Sequence, residues 1–173
     1  MNESRLFPGD ENVHRSAEIS DCGLYRWWLR RTWSADGPEV CFVMLNPSTA
    51  DALTDDPTIR RCINFAKSWG YGSLVVRNLF AYRATDPREL RNAEDPIGGH
   101  RGLAELVNAK HAEKLVAAWG QHGKLMDRGK QALEIFQQEN VSVYCLGTTK
   151  DGHPRHPLYV PSSQSLELLE TSP

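Results

Sequence analysis

One apolar segment constrains the fold of this chain more than any other. It runs from Val40 to Leu45 and stops abruptly at Asn46 and the Pro-Ser-Thr that follows it. A continuous apolar run of this kind is typical of a parallel strand that is buried on both faces. Polar residues that follow such a strand lie at its carboxyl end, where open α/β sheets bind their ligands. The segment therefore predicts a buried strand that delivers polar side chains to a site.

The same pattern recurs along the chain, with helical segments between the apolar runs. The predicted core strands are centred on Val43, Val76, Val116 and Val143. Helical candidates begin near Asp56-Pro57, near Pro87, after Gly99 and near Gly123. Strands separated by helices imply parallel pairing with right-handed crossovers. We expect an α/β protein, a single three-layer α/β/α sandwich with a mainly parallel four-stranded core sheet and an N-terminal β extension.

The length of 173 residues favours one domain. The predicted boundaries are a flexible N-terminal arm over 1–20, a single α/β domain over 21–162 and a C-terminal tail over 163–173. The segment YRWWLRRTW, Tyr25–Trp33, predicts the β extension. We expect its tryptophans to cover one sheet face while Arg26, Arg30 and Arg31 stay in solvent. The alternative is a strip of aromatic and cationic side chains that binds nucleic acid.

The charge and the cysteines limit the classes of function. A formal net charge of −2 predicts no bulk attraction to nucleic acid, so any such surface has to be a local patch. The arginines available for it are Arg26, Arg30, Arg31, Arg83 and Arg155. The four cysteines show no CxxC spacing, which disfavours a zinc site. Cys41 and Cys145 lie in predicted core strands, so we expect buried, reduced thiols in a cytoplasmic protein.

Neither a secretory signal pattern nor an apolar run of the roughly 20 residues that a membrane span needs is present in the sequence. We therefore expect no membrane partner. Four polar, turn-rich segments follow the four predicted strands: NPSTAD, NLFAYRATDP, WGQHG and GTTKDGHPRHP. Because the carboxyl ends of parallel strands meet at one edge of a sheet, these segments are expected to line one cleft.

From about Leu24 to Tyr159 the chain resembles the domain of unknown function 1643 (DUF1643) family. The phrases LNPSTAD, DPTIRRC, WGYG, NLFAYRATDP, AWG and DGHPRHPLY carry this resemblance. More distantly, the chain is similar to the uracil-DNA glycosylase superfamily. MLNPS resembles its water-positioning loop, LVVRNLF its base-reading strand, VAAWG its third strand and GHPRHP its histidine loop, in the same order.

The superfamily resemblance implies an α/β/α fold and a site that acts on nucleobases without a metal or organic cofactor. The catalytic candidates are Asn46, Asp51, His153 and His156, and the substrate-binding candidates are Pro47, Ser48, Asn78, Tyr82, Arg83 and Arg155. Asn46 would hold a water, Asn78 would pair with a base edge, and a histidine would donate to the departing base. The implied partner is a nucleic acid, a nucleotide or a free nucleobase, and we expect a monomer.

Each of these side chains also has an ordinary structural interpretation. Asn46 can cap the turn that Pro47 opens, and Asn78 can bond to its own loop backbone. Asp51 is of a residue type that often caps helices. Arg83 and Arg155 can be solvated surface arginines. The residue types alone leave these alternatives open.

The leading hypothesis for function is a nucleobase-directed hydrolase that cleaves an N-glycosidic bond in DNA or a nucleotide, as DNA-modification or repair enzymes do. If its substrate is duplex DNA, the target base has to be flipped out of the stack. The alternative is a non-catalytic module of the same fold that binds a nucleotide or nucleic acid. A third possibility is hydrolysis of an unrelated small molecule.

Overall fold

A computed structural model describes residues 12–170, and within them seven strands form one sheet. The strand order is β1-β2-β4-β3-β5-β6-β7. The strands are β1 His14–Ile19, β2 Arg26–Thr32, β3 Glu39–Met44, β4 Ser73–Asn78, β5 Lys114–Ala117, β6 Val143–Cys145 and β7 Glu167–Leu168. The central four, β4-β3-β5-β6, pair in parallel, and the other three pair antiparallel at the flanks. The predicted α/β architecture with a mainly parallel sheet is confirmed, and the sheet of seven strands is wider than predicted.

Helices cover both faces of this sheet. The α-helices are α1 Pro57–Ser68, α2 Gly99–Val107 and α3 Arg128–Gln138, and short 3-10 segments occupy Pro87–Arg91, Asn108–His111, Gln121–Asp127 and Pro157–Tyr159. Buried side chains of α1 form one hydrophobic cluster with one face of the sheet. Buried side chains of α2 and α3 form a second cluster with the other face. The helices and the sheet between them therefore form three layers.

The continuous apolar run of β3 follows from this arrangement. Val40, Phe42 and Met44 belong to the cluster on the α1 side, and Cys41 and Val43 belong to the opposite cluster. Successive side chains of a strand point to opposite faces, so a strand covered on both sides needs apolar residues at every position. The strand interpretation of this segment is confirmed.

Two strands lie in segments that the sequence assigned to an arm and a tail. β1 falls within residues 1–20 and pairs along its length with β2. β7 falls within residues 163–173 and pairs with β6. Both have polar sequences, HRSAEI and EL, so periodicity gave no signal for them. Residues 1–11 of the arm and 171–173 of the tail lie outside the described residues.

The expectation that Arg26 and Arg31 stay in solvent is wrong, because Arg26 is 2% exposed and Arg31 is 0% exposed. Arg31 donates from Nε to the Asp55 carboxylate at 2.7 Å and from Nη2 to the Asp51 carbonyl at 2.6 Å. These acceptors replace the hydrogen bonds to water that the guanidinium loses on burial, which reduces the free-energy cost of burying it. They also hold the loop between β3 and α1 against the sheet. Arg30 is partly exposed and pairs with Glu39.

The helix predicted from Gly123 onward is shorter than expected. α3 begins only at Arg128, because Met126 and Asp127 have φ values of 53° and 54°. These left-handed conformations are costly for residues other than glycine and interrupt a right-handed helix. Arg128 is 1% exposed, and its Nε and Nη2 both donate to the Leu79 carbonyl, at 3.2 and 3.0 Å. The interruption thus accompanies a contact between the start of α3 and the end of β4.

Three of the four cysteines are buried, namely Cys41, Cys62 and Cys145, and Cys22 is exposed; all four are free thiols. The predicted burial of Cys41 and Cys145 is confirmed. Among residues 12–170, no helix combines the length and the apolar character that crossing a membrane requires.

Candidate functional site

A cleft of about 640 Å³ opens at the carboxyl edge of the parallel strands. Its lining includes Asn46 after β3, Asn78 at the end of β4, Gly120 after β5 and His156 after β6. The chain runs from β3 outward to β4 on one side and to β5 on the other, so the strand order reverses beside β3. Crevices at such reversal points are where open α/β sheets bind ligands. The predicted convergence of the four loops at one cleft is confirmed.

Asn78 is the most unusual side chain of the cleft. It is 7% exposed, yet neither its Nδ2 nor its Oδ1 has a hydrogen-bond partner among the described residues. An unpaired polar group in the interior costs about 1–3 kcal/mol, and here both ends of one amide are unpaired. The backbone around it is firmly held, because Leu79 N donates to the Met44 carbonyl at 2.9 Å and Arg128 bonds the Leu79 carbonyl. The amide is therefore a rigid donor and acceptor, unpaired by the described residues and buried within a residue that lines the cleft.

Asn46 has a different environment, because its amide nitrogen is fully used. Nδ2 donates to the carbonyls of Pro47 at 2.9 Å and Ala84 at 2.7 Å. Two carbonyls can only accept, so the nitrogen has to face them and Oδ1 has to point away. Asn46 thus joins the loops after β3 and β4, and its carbonyl oxygen is the atom left for a ligand or a water.

Asp56 is a cleft residue whose role the sequence only partly indicated. It caps α1, and its Oδ1 accepts from the backbone N–H of Ile59 at 2.9 Å. A cap needs one carboxylate oxygen, and Oδ2 has no hydrogen bond to another described residue. Asp56 and Thr58 both line the cleft. The start of α1 therefore places a carboxylate in the lining of the site.

His156 lines the cleft from the opposite loop. Its Nδ1 accepts from the backbone N–H of Leu158 at 3.2 Å, which caps the 3-10 turn Pro157–Tyr159. Burial lowers the pKa of His156 below its usual value. The neutral ring that this favours accepts at Nδ1 and so carries its proton on Nε2. Gly120 N donates to the Pro154 carbonyl at 2.9 Å, which fixes this loop against the end of β5.

Arg26 enters the cleft from β2, outside the parallel core. Its Nη1 donates to the Ala50 carbonyl at 2.8 Å, and its buried Nε has no partner among the described residues. Burial lowers the pKa of Arg26 to about 10, while the nearby Asp56 carboxylate opposes that shift. At neutral pH the cleft therefore holds a desolvated cation.

The structure brings together five of the ten residues predicted from sequence: Asn46, Ser48, Asn78, Arg155 and His156. The other five, Pro47, Asp51, Tyr82, Arg83 and His153, are not part of the lining. The Asp51 carboxylate accepts from the backbone N–H groups of Leu53 and Thr54, both at 2.8 Å, and these bonds lower its pKa. Its position and bonds match a turn-stabilising residue.

The remaining four residues make contacts outside the lining. The Pro47 carbonyl accepts from Ala84 N at 2.9 Å, and Arg83 Nη1 donates to the Gly23 carbonyl at 3.1 Å. Tyr82 packs edge-on against Tyr25, with ring centroids 6.0 Å apart. The backbone of His153 closes a turn with Thr149. These contacts support the loops that carry the cleft residues.

Sequence reasoning missed two charged residues of the cleft, Arg26 and Asp56. The sequence placed Asp56 near the start of a helix, and its position ahead of Pro57 gave no further signal. Arg26 belongs to a strand with the sequence RWWLRRT, where a buried arginine and a solvated one look alike. A strand-by-strand register would have been needed to find it.

Within residues 12–170, no group of three or more His, Cys, Asp or Glu side chains is arranged to hold a metal ion. The family model described as protein of unknown function DUF1643 matches residues 26–158. The chain belongs to the DUF1643 family. The match begins at Arg26 and ends at Leu158, so every residue assigned above to the cleft lies inside the DUF1643 region. No curated protein and no solved structure matches the chain.

Proposed function

We propose that this DUF1643 protein binds a nucleobase in the cleft and hydrolyses its N-glycosidic bond, on a fold of the uracil-DNA glycosylase type. The observation that carries the proposal is Asn78, a residue that is 7% exposed and whose buried amide has an unpaired donor beside an unpaired acceptor. A base edge offers an acceptor beside a donor at matching spacing, and asparagine amides pair with such edges through two hydrogen bonds. A bound base would satisfy both atoms of Asn78 at once.

The size and position of the cleft support a ligand of this class. A volume of about 640 Å³ lies within the range of roughly 300–1,000 Å³ that is typical of small-molecule sites. The order of the cleft residues also supports the proposed fold type: Asn46 follows the first core strand, Asn78 ends the second, Gly120 follows the third and His156 follows the fourth.

Hydrolysis requires a water, a proton acceptor and a donor for the departing base. In the proposed reaction, a water oxygen bonds to C1′ of the sugar while the C1′–N bond breaks and its electron pair stays on the base. Asp56 Oδ2 takes the proton of the water, and Asn46 Oδ1 accepts from the same water and orients it. The Nε2–H of His156 donates to the base as negative charge develops on it.

A non-catalytic binding module is the second candidate, and one observation favours it. Both N–H groups of Asn46 are committed to backbone carbonyls, so this side chain can offer a water only an acceptor. In that alternative, Asn78 still binds the base edge, and Asp56 and His156 serve only as caps. The two candidates share the ligand and differ in whether free base is released.

A measurement of base release distinguishes the hydrolase from the binding module. The wild-type protein is incubated with oligonucleotides and nucleosides that carry normal and modified bases, and free base is measured by mass spectrometry. We expect release from at least one substrate and a loss of at least about a hundredfold in Asp56→Asn, as for removal of a preorganised polar group. Asparagine keeps the helix cap, so the variant should stay folded.

The matched control is Asp36→Asn, which makes the same change at an exposed position in the turn before β3, at the opposite edge of the sheet. It should release base at the wild-type rate. Binding of a base without release from any substrate would select the binding module. Neither binding nor release would contradict both candidates.

A further inference from the structure

Arg26 reaches the cleft because β2 contains an irregularity. In the pairing of β1 with β2, Glu18 lies opposite Trp28 and Ile19 lies opposite Arg26, so Trp27 is an extra residue on β2. Beyond it, Leu29 faces the α1 side of the sheet and Trp28 the other side. Regular alternation would place Arg26 on the same side as Trp28.

The bulge turns Arg26 to the α1 side instead. Its guanidinium bonds the Ala50 carbonyl and lines the cleft with Ile59 and Val76, which belong to the α1-side cluster. Bulges are frequent beside active sites, where they re-aim a side chain. The backbone of β2 is thus shaped so that an arginine enters the site.

Arg31, on the same strand, shows what a purely structural buried arginine looks like in this fold. All three of its nitrogens donate hydrogen bonds, to the Asp55 carboxylate and to backbone carbonyls that include those of Ser16 and Asp51. Arg26 is equally buried, but the one hydrogen bond its side chain makes to described residues goes to Ala50. Its Nε is buried and unpaired. The buried Nε atoms of Arg77 and Arg83 also lack partners among the described residues, so what sets Arg26 apart is its place in the lining of the cleft.

The charges around Arg26 leave it able to attract an anion. Asp56 and Asp51 are the nearby carboxylates, and Arg31 and Arg83 are the nearby cations. Among the described residues, no carboxylate oxygen lies within 4.0 Å of the Arg26 nitrogens. The ion pairs of this region are made by Arg15, Arg30 and Arg31 instead. A guanidinium that is desolvated and unpaired interacts strongly with negative charge that appears beside it.

We propose that Arg26 binds the negative charge that develops on the departing base, beside the base edge that Asn78 holds. This inference rests on the proposed function. When the C1′–N bond breaks, its electron pair remains on the base, and the N–H groups of Arg26 donate to the resulting anion while the proton of the attacking water goes to Asp56. Arg26 lies on β2 directly next to β4, and its backbone N–H donates to the Ala81 carbonyl at 3.0 Å, close after Asn78.

The test compares free bases of different acidity at one fixed pH. The probes are two pairs, uracil with 5-fluorouracil and hypoxanthine with xanthine, in which the second member loses a proton more readily. Affinities are measured by calorimetry for wild type, Arg26→Gln, Arg26→Lys and the control Arg91→Gln, an exposed arginine outside the cleft. A preference for the more acidic member reports stabilisation of the anion.

We expect wild type and Arg91→Gln to bind the more acidic member of a pair more tightly than the other member. In Arg26→Gln this preference should fall by at least about tenfold, because one charge-assisted hydrogen bond contributes that much to affinity. Arg26→Lys keeps the charge and should keep part of the preference, which covers the case in which the glutamine variant does not fold. An unchanged preference in both Arg26 variants would overturn the role of Arg26 while base binding stands. Absence of binding and release of any base by wild type would overturn the proposed function and this inference with it.

Discussion

The side-chain amide of Asn46 donates to the Ala84 carbonyl at 2.7 Å, and so joins the loop after β3 to the loop after β4. The connection is reciprocal, because Ala84 N donates to the Pro47 carbonyl at 2.9 Å. Two neighbouring strand ends are therefore fixed relative to one another. Asn78 ends the second of these strands, so its unpaired amide has a rigid backbone.

Asn46 variants separate its structural role from a catalytic one. Asn46→Asp keeps the size but places carboxylate oxygens against two carbonyls, so it should lower the free energy of unfolding more than Asn46→Ala does. For Asn46→Ala we expect a loss of about 1–3 kcal/mol, since buried carbonyls lose their donor. Urea denaturation measures both. If the Asn46→Ala variant is as stable as wild type, the connection between the loops does not stabilise the protein. If the variant is less stable but fully active, Asn46 Oδ1 does not position a water.

Asn78→Leu should have the opposite effect on stability, which it should leave unchanged or raise. Leucine has a similar volume and no polar atoms, so the substitution removes two unpaired groups from the interior. We expect an unchanged thermal midpoint or one that rises, by the equivalent of about 1–3 kcal/mol at most, together with loss of base binding. Thermal unfolding and calorimetric titration on the same sample check both parts. A clear drop in stability would mean that the amide has a partner within the folded protein.

The parallel core was predictable because β3 and β4 are covered on both faces and therefore contain continuous apolar runs, over 40–44 and 74–76. β1 and β7 were not, because they lie at the sheet flanks and have polar sequences. Asn46 and Asn78 could be placed from their positions after apolar runs. Arg26 could not, because its direction depends on the extra residue at Trp27, and a bulge leaves no mark on hydrophobic periodicity.

His156 should make stability depend on pH. Its folded-state pKa lies below the unfolded value of about 6.5, so the unfolded chain binds the proton first, and stability falls as pH decreases from about 6.5 through the folded pKa. The slope from this one group is at most about 1.4 kcal/mol per pH unit. Protonation at Nδ1 also removes the acceptor for the Leu158 N–H.

His156→Asn provides the comparison, because its side-chain oxygen can accept the same N–H without titrating. Urea denaturation of both proteins between pH 7 and pH 5 should show the wild type losing more stability than the variant over this window. Parallel curves would show that His156 is not buried as a neutral ring.

Cys22 should be the thiol that reacts in the native protein. It is exposed, and a hydrogen bond with Ser20 lowers its pKa. Burial raises the pKa of Cys41 to about 12, and Cys62 and Cys145 are also buried. A colorimetric thiol reagent should therefore modify one cysteine rapidly in the wild type and none rapidly in Cys22→Ser. Rapid modification of a second thiol would contradict the burial of the core strands.

Asp56 and His156 show why a site is harder to predict than a fold. Each has a complete structural role as a cap, and each also presents a second polar atom to the cleft. Local spacing indicates the first role for Asp56, which lies at the start of a helix, but not for His156. The second depends on which loops meet at the sheet edge, which only the strand order β4-β3-β5-β6 determines.

The central claim is that Asn78 binds the edge of a nucleobase, and nuclear magnetic resonance of its side-chain amide tests it most directly. The NH₂ signals of Asn78 can be assigned as the pair that disappears in Asn78→Leu, and free bases are then titrated into the wild-type protein. We predict a saturable downfield shift of this pair with at least one base, as its N–H groups gain an acceptor. If every base leaves the Asn78 signals unmoved up to its solubility limit, the cleft is not a nucleobase site.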